Sequence, residues 1–204
     1  MIFFNQLEIK NYSLVCLFSR QIGFEALKEL IKSDHYTIDA IFTHKYEPNS
    51  TVERPMFSAY QNIAKVNEIP FFIVDKSQEA LKKLKKINFH FLISIGYKYI
   101  IPIEYLKLAK LESLNMHRSL LPKYKGLKPL KRALESGEKK TGVSIHYLTE
   151  KVDSGRVLDQ EKIIINKDDT VDDLFLKIYP IYPRLLIRTL DGIVKRQIRL
   201  NKNN

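Results

Sequence analysis

The chain has 204 residues, 45% of them hydrophobic, which is enough to bury a genuine core, and a single domain is expected over 1–204. Its one cysteine, Cys16, excludes an intrachain disulfide; no apolar run is long enough to cross a bilayer, and the first eight residues lack the basic start and small-residue cleavage site of a secretion signal, so a cytoplasmic protein with no membrane partner is expected. The formal net charge of +11 suits an anionic partner, and more than half of it is concentrated in one stretch, where eight cations from Arg118 to Lys140 stand against Glu135 and Glu138.

Met1 to Tyr12 shows no clear period and reads as an extended lead-in. Leu14 to Phe18 is a short continuous apolar run enclosing Cys16, the pattern of a buried parallel strand, and Ser19 to Gly23 reads as the loop it meets. Phe24, Ala26, Leu27, Leu30 and Ile31 then fall mostly at helical spacing, with Lys28, Glu29 and Lys32 for the wet face. Tyr36 to Thr43 is a second strand, leaving through a polar loop with Pro48, Asn49 and Ser50. A helix over Phe57 to Asn67 and a strand over Ile69 to Val74 follow. Ser77 is the expected N-cap of a helix through Lys86, whose four lysines form a solvated face.

Phe89 to Ser94 is the fourth strand. Its exit, Ile95 to Pro102, is too apolar for an ordinary surface loop, and two readings stay open: the wall of a pocket, or a loop tucked under the next helix. A fifth strand, Ser113 to Met116, delivers Asn115 and His117 to its C-terminal end, where ligands bind in open parallel sheets. Leu130 to Glu135 reads as helix, Gly142 to Tyr147 and Arg156 to Ile165 as strands. Asp168 to Thr170 starts a long helix through about Leu176; a second segment follows the interruption at Pro180 and Pro183, and a polar, frayed tail from Lys195 to Asn204 lies beyond a core of about 13–192. Strands alternating with helices imply one Rossmann-like α/β domain, with a mainly parallel twisted sheet and helices on both faces.

The chemistry-bearing residues lie between Asn115 and Leu158. Taken singly, Asn115 after a strand and Asp153 before Ser-Gly are ordinary turn residues. The ordered set is more specific: Asn115-x-His117-x-Ser119-Leu120-Leu121-Pro122-x-Tyr124-x-Gly126, then Gly137-Glu138-x-x-Thr141-Gly142-Val143-Ser144-Ile145-His146, then Asp153-x-Gly155-x-Val157-Leu158. It resembles the core of the formyltransferases that use N10-formyltetrahydrofolate, over about Leu92 to Ile165, whereas the first ninety residues match only in rhythm. Arg118 is a departure, standing where many members carry Pro or Gly.

The resemblance implies transfer of a formyl group to an amine through a tetrahedral intermediate bearing an oxyanion, which requires preorganised donors. Asn115 would supply an amide N–H and His117 a second donor when protonated, with Asp153 favouring the imidazolium; His117 or a water held by Asp153 would carry the proton to the departing folate nitrogen. His146, mid-strand with Ser144 on the face opposite Val143, Ile145 and Tyr147, reads as structural. By analogy with the family, N10-formyltetrahydrofolate would lie among Tyr97, Ile100, Ile101, Leu120, Leu121, Pro122, Thr149 and Val152. Ser19, Arg20, Gln21, Arg118, Lys123 and Lys125 would face an anionic acceptor. No metal is expected, because His35, His44 and His90 are scattered without ligand spacing.

Three functional readings follow. The family's tRNA-directed members carry an additional C-terminal domain, and the chain ends at Asn204, which argues against a tRNA acceptor. The purine-pathway members bind a ribonucleotide phosphate with a glycine-rich loop after the first strand, and Ser19 to Gly23 has one glycine. The preferred acceptor is therefore a nucleotide-linked amino sugar, with glycinamide ribonucleotide as the alternative; a homodimer is compatible with either. The reading from another class is a basic nucleic-acid-binding or regulatory homologue that has lost catalysis.

Overall fold

The computed structural model describes residues 11–44 and 53–202. The lead-in up to Lys10 and the loop through Pro48, Asn49 and Ser50 lie outside them. Seven strands, β1 (Tyr12–Phe18), β2 (Tyr36–His44), β3 (Phe71–Val74), β4 (Phe91–Ile95), β5 (Glu112–His117), β6 (Lys140–Tyr147) and β7 (Val157–Ile164), form one sheet in the order β3-β2-β1-β4-β5-β6-β7. The first five are parallel, and β6 and β7 run antiparallel to their neighbours. The order reverses between β1 and β4, so a crevice opens beyond the carboxyl ends of those strands.

Alternation along β1 shows how both faces are filled. Leu14, Cys16 and Phe18 enter a core with α1 (Arg20–Ile31), α2 (Glu53–Val66), α4 (Pro129–Glu135), α5 (Val171–Ile178) and α6 (Ile181–Lys202). Val15 and Leu17 enter a second core with Leu81 and Leu84 of a 3-10 helix (Glu79–Lys86) and Tyr105 and Leu106 of the four-residue α3 (Ile103–Leu106). Helices therefore cover both faces, and Cys16 is fully buried, its thiol pKa pushed up by burial. Among the described residues, no helix is long and apolar enough to cross a membrane.

Several local expectations are corrected. Helix α1 begins at Arg20, so Ser19 to Gly23 is its first turn rather than a loop. Gly23 serves close packing there: a Cβ on it would lie 2.5 Å from the Tyr60 hydroxyl and 3.1 Å from the Phe18 Cβ. The lysine-rich segment is a 3-10 helix whose N-cap is Gln78, not Ser77. Its buried anchors, Leu81 and Leu84, are three residues apart and so eclipse on a three-residue turn. Pro183 does not interrupt α6, because as its third residue it has no intrahelical N–H bond to lose, and the expected frayed tail is helical through Lys202.

Helix α5 begins at a capping box: Thr170 Oγ1 accepts from the Asp173 N–H at 3.2 Å, and the Asp173 carboxylate accepts from the Thr170 N–H at 2.8 Å. Thr170→Ala should cost about 1 kcal/mol. In thermal unfolding this appears as a midpoint lowered by about 2–4 °C; an unchanged midpoint would show that the cap contributes nothing.

Candidate active site

The site begins with a strand periodicity of two. On β5, Leu114 and Met116 point into the helix-covered core, so Asn115 and His117 point to the opposite face. On β6, Val143 and Ile145 enter the same core, which places Ser144 and His146 beside them: the register pairs Asn115 with His146 and His117 with Ser144. Four polar side chains thus share one patch at the end of the parallel part of the sheet.

The loop after β6 adds a carboxylate. Asp153 sits in the left-handed region, with φ of 47°, which aspartate tolerates better than most residues. Gly155 lets this loop lie flush on β6, because a Cβ there would come within 1.9 Å of the Tyr147 carbonyl oxygen. Asp153 Oδ2 accepts from the Gly126 N–H at 2.8 Å and lies 3.3 Å from His117 Nδ1. Its Oδ1 accepts from Asn115 Nδ2 at 3.4 Å and lies 3.5 Å from His146 Nε2. Asn115 Nδ2 also donates to His146 Nε2 at 3.1 Å, and His146 Nδ1 donates to the Tyr147 carbonyl at 2.8 Å. Since a carbonyl can only accept, the second bond places a proton on His146 Nδ1.

His117 Nε2 donates to the Tyr124 carbonyl at 2.9 Å, an acceptor presented by a left-handed Tyr124 with φ of 55°. With that proton placed, Nδ1 of the neutral ring turns its lone pair towards Asp153. Burial, the largest influence, pushes the His117 pKa below the ordinary imidazole value, and neither the Asp153 charge nor the Tyr124 carbonyl offsets it. The expectation of an imidazolium held by Asp153 is therefore corrected: desolvation outweighs the carboxylate, and the resting ring is neutral. Burial, the largest influence, would raise the Asp153 pKa, but the polar groups around it, the Gly126 N–H among them, hold it below the usual carboxylate value.

Asn115, His117, His146 and Asp153 form the floor of a cleft of about 400 Å³, while Ser144 lies behind it. Of the residues expected at the folate site, Tyr97, Ile100, Ile101, Thr149 and Val152 line it, so the apolar exit of β4 is a pocket wall. Leu120, Leu121 and Pro122 do not. That turn is tied behind the site instead: Ser144 Oγ accepts from the Leu121 N–H at 3.0 Å, and Gln160 Nε2 donates to the Leu121 carbonyl at 2.9 Å.

Of the residues expected to face an acceptor, Arg20 and Arg118 line the cleft. Ser19 is fully buried and donates to the Gly96 carbonyl at 2.5 Å; Gln21 binds Glu25 on its own helix; Lys123 pairs with Glu138 at 2.8 Å, and Lys125 donates to Ser154 at 3.1 Å. The reading of the sequence missed Tyr124, Gly126 and the involvement of His146. The cross-strand register places His146 beside Asn115, whereas position in the chain alone gave only a histidine in a strand.

A profile described as "Formyl transferase" matches residues 15–190. The methionyl-tRNA formyltransferase of Mycoplasmopsis pulmonis is 34% identical over 169 residues, covering 83% of this chain and 58% of that protein. That of Coxiella burnetii is 32% identical over 188 residues, covering 90% and 59%. The chain thus spans about three-fifths of the length of these curated relatives. Among solved structures, phosphoribosylglycinamide formyltransferase from Bacillus halodurans superposes with a TM-score of 0.71 at 27% identity, covering 89% of this chain and 95% of that one. A formyltetrahydrofolate deformylase from Pseudomonas syringae gives 0.73 at 21%, covering 89% and 60%, a likeness of fold. These relatives overturn the argument from length against a tRNA acceptor, since proteins named for methionyl-tRNA share at least 30% identity across most of this chain.

Two buried histidines, His44 and His117, give stability a pH dependence. His44, 3% exposed at the end of β2 beside the Tyr97 and Tyr99 rings, has its pKa lowered by burial, with repulsion from Arg20 and Lys98, to about 4. Folded-state values lowered for His44 and His117 mean that the unfolded chain binds more protons below pH 6.5. Their contribution is complete above that pH and is lost as the pH falls through the folded values, for His44 by about 3 kcal/mol between pH 6.5 and 4. Urea unfolding at pH 7 and 4.5 should show the loss, and His44→Leu should remove its share; a flat profile would contradict it.

Proposed function

Because the chain belongs to the formyl transferase family, we propose that it moves a formyl group from N10-formyltetrahydrofolate to a primary amine, with Asn115, His117 and Asp153 as its catalytic residues. The observation that carries this reading is the convergence of an amide, an imidazole and a carboxylate on the floor of one cleft.

The chemistry follows from the contacts. The amine nitrogen bonds to the formyl carbon and must shed a proton, and the gap between His117 Nδ1 and Asp153 Oδ2 is a place to receive it: the resulting imidazolium would face the carboxylate directly. His117 then returns the proton to the folate nitrogen as the carbon–nitrogen bond to it breaks. Asn115 Nδ2 donates to His146 at 3.1 Å and more weakly to Asp153 at 3.4 Å. The weaker bond can be given up to the oxyanion as charge develops, while His146 keeps the amide oriented.

The donor fits the wall formed by Tyr97, Ile100, Ile101, Thr149 and Val152. Ile100 and Val152 expose 66% and 50% of their surface there, apolar area suited to a flat ring system, and the buried Tyr97 hydroxyl has no hydrogen-bond partner among the described residues.

For the acceptor, the relatives at 32–34% identity support methionyl-tRNA. The amino-sugar reading rests on the single glycine of Ser19 to Gly23, with the basic stretch expected to face a pyrophosphate, and enters the test as the competing arm, together with glycinamide ribonucleotide. Incubation of the protein and N10-formyltetrahydrofolate with methionyl-tRNA, nucleotide-linked amino sugars and glycinamide ribonucleotide should add one formyl mass to the true acceptor. His117→Ala and Asp153→Asn should each lower turnover by roughly a hundredfold or more while leaving the circular dichroism of the fold intact. Folded variants working at wild-type rates would remove both residues from the mechanism.

A further inference from the structure

Gln160 occupies an exposed position on the outermost strand, β7, and lies outside the cleft, yet its side chain turns inward. The strand register explains where it points. His117 on β5 pairs with Ser144 on β6, and Ser144 pairs with Gln160 on β7, so the three form one polar row on a single face of the sheet. The segment from Ser119 to Gly126 leaves β5 just past His117 and folds back over that row. Gly142 makes room for it: a Cβ there would lie 2.8 Å from Leu120 Cδ2.

The row saturates its hydrogen bonds on this segment. Gln160 Nε2 donates to the Leu121 carbonyl at 2.9 Å and to Ser144 Oγ at 2.7 Å, which uses both of its protons. A flipped amide would set oxygen against the Leu121 carbonyl, so its orientation is determined. Ser144 Oγ also accepts from the Leu121 N–H at 3.0 Å. With two donors already on that oxygen, its own proton goes to the Ser119 carbonyl at 2.5 Å. Ser119 and Ser144 are fully buried, and Ser119 Oγ donates to the Lys123 carbonyl at 2.6 Å. The next carbonyl along the chain, that of Tyr124, is the one that His117 Nε2 meets at 2.9 Å.

That carbonyl competes with Asp153 for one proton. A neutral imidazole carries a single N–H, while acceptors stand at both nitrogens of His117: the Tyr124 carbonyl at Nε2, and the Asp153 carboxylate 3.3 Å from Nδ1. If the carbonyl backed away, the proton would move to Nδ1, and the lone pair facing Asp153 would be lost. Tyr124 is left-handed, with φ of 55°, a conformation that persists only where its surroundings impose it. Its phenol donates to Glu138 Oε1 at 3.0 Å and its ring lies 5.5 Å from the Arg132 guanidinium, contacts that hold the side chain; the polar row holds the backbone leading into it.

We propose that Gln160 is a positioning residue: through Ser144 and the segment from Ser119 to Tyr124, it keeps the Tyr124 carbonyl on His117 Nε2 and so selects the tautomer whose free Nδ1 faces Asp153. Its consequence for turnover rests on reading His117 as the proton acceptor in formyl transfer; its effect on the ring stands on the contacts alone.

The test reads the ring and the reaction separately, on the full chain. Gln160→Met keeps the length of the side chain and removes both N–H donors, and at an exposed position it should leave the circular dichroism unchanged. Nitrogen-15 NMR at pH 7 should show the Nε2–H tautomer of His117 in the wild type, and in Gln160→Met at least a quarter of the ring as Nδ1–H. With the acceptor identified by the panel, kcat should fall about tenfold while the KM for the formyl donor changes less than threefold. Lys162→Met, at a neighbouring exposed position on β7, should match the wild type in both measurements. A Gln160→Met protein that melts earlier but keeps the wild-type tautomer would make Gln160 a structural tether and overturn the proposal, as would a shifted tautomer with undiminished kcat. A tautomer that depends on Gln160 in a protein that formylates no acceptor of the panel leaves the positioning role standing and sinks the activity.

Discussion

The Asp153 carboxylate is the constraint around which the cleft is arranged. Only 9% of its side chain is exposed, and a charge that deep is tolerated only when its oxygens are met. The Gly126 N–H and the Asn115 amide meet them from two different segments, and two imidazoles close the remaining sides. Each contact requires something of the chain: a left-handed Asp153, a glycine two residues on so that the loop can touch β6, and a left-handed Tyr124 whose carbonyl fixes the His117 ring. Backbone conformations that are costly in isolation therefore collect at one place, where the contacts they enable hold them.

The sheet supplies the rest of the geometry. Parallel strands bring β4 and β5 side by side with their carboxyl ends at the crevice, and the turn to antiparallel pairing at β6 sets His146 opposite Asn115. Since a strand alternates, the residues that hold the core, Leu114, Met116, Val143 and Ile145, oblige the polar set to face the cleft. Packing and chemistry are two sides of the same strands, so a register slip of one residue would destroy both.

This explains which features were legible in the sequence. The strand runs and the helix over Phe24 to Ile31 depend on local composition, and local composition announces them; for Ile95 to Pro102 it leaves a pocket wall and a tucked loop both open, and only the fold decides between them. Asn115, His117 and Asp153 stood out because an ordered motif carried them. His146 did not, because its meaning comes from a partner 31 residues away across a strand pair. The Ser119 to Pro122 turn read as a binding surface, yet Ser144 and Gln160 tie it from behind, a long-range tether with no local trace. Ser19 to Gly23 reads as a loop for the same reason: the Tyr60 hydroxyl and Phe18 pressing on Gly23, which make it a packing glycine inside a helix, leave no local trace. Arg118 was visible as a departure from the family pattern, but the Phe175 ring beside it belongs to a helix more than fifty residues downstream.

The central claim is the proton arrangement at His117 and Asp153: a neutral ring, its proton on Nε2 towards Tyr124, and a vacant proton position facing an ionised carboxylate. Nitrogen-15 NMR of the histidine side chains measures it directly. At pH 7 the account predicts a protonated Nε2 and an unprotonated Nδ1 for His117, with titration to the imidazolium only below pH 6.5. Both ring nitrogens of His117 protonated at pH 7 would contradict it, and would return to His117 the role of a charged donor.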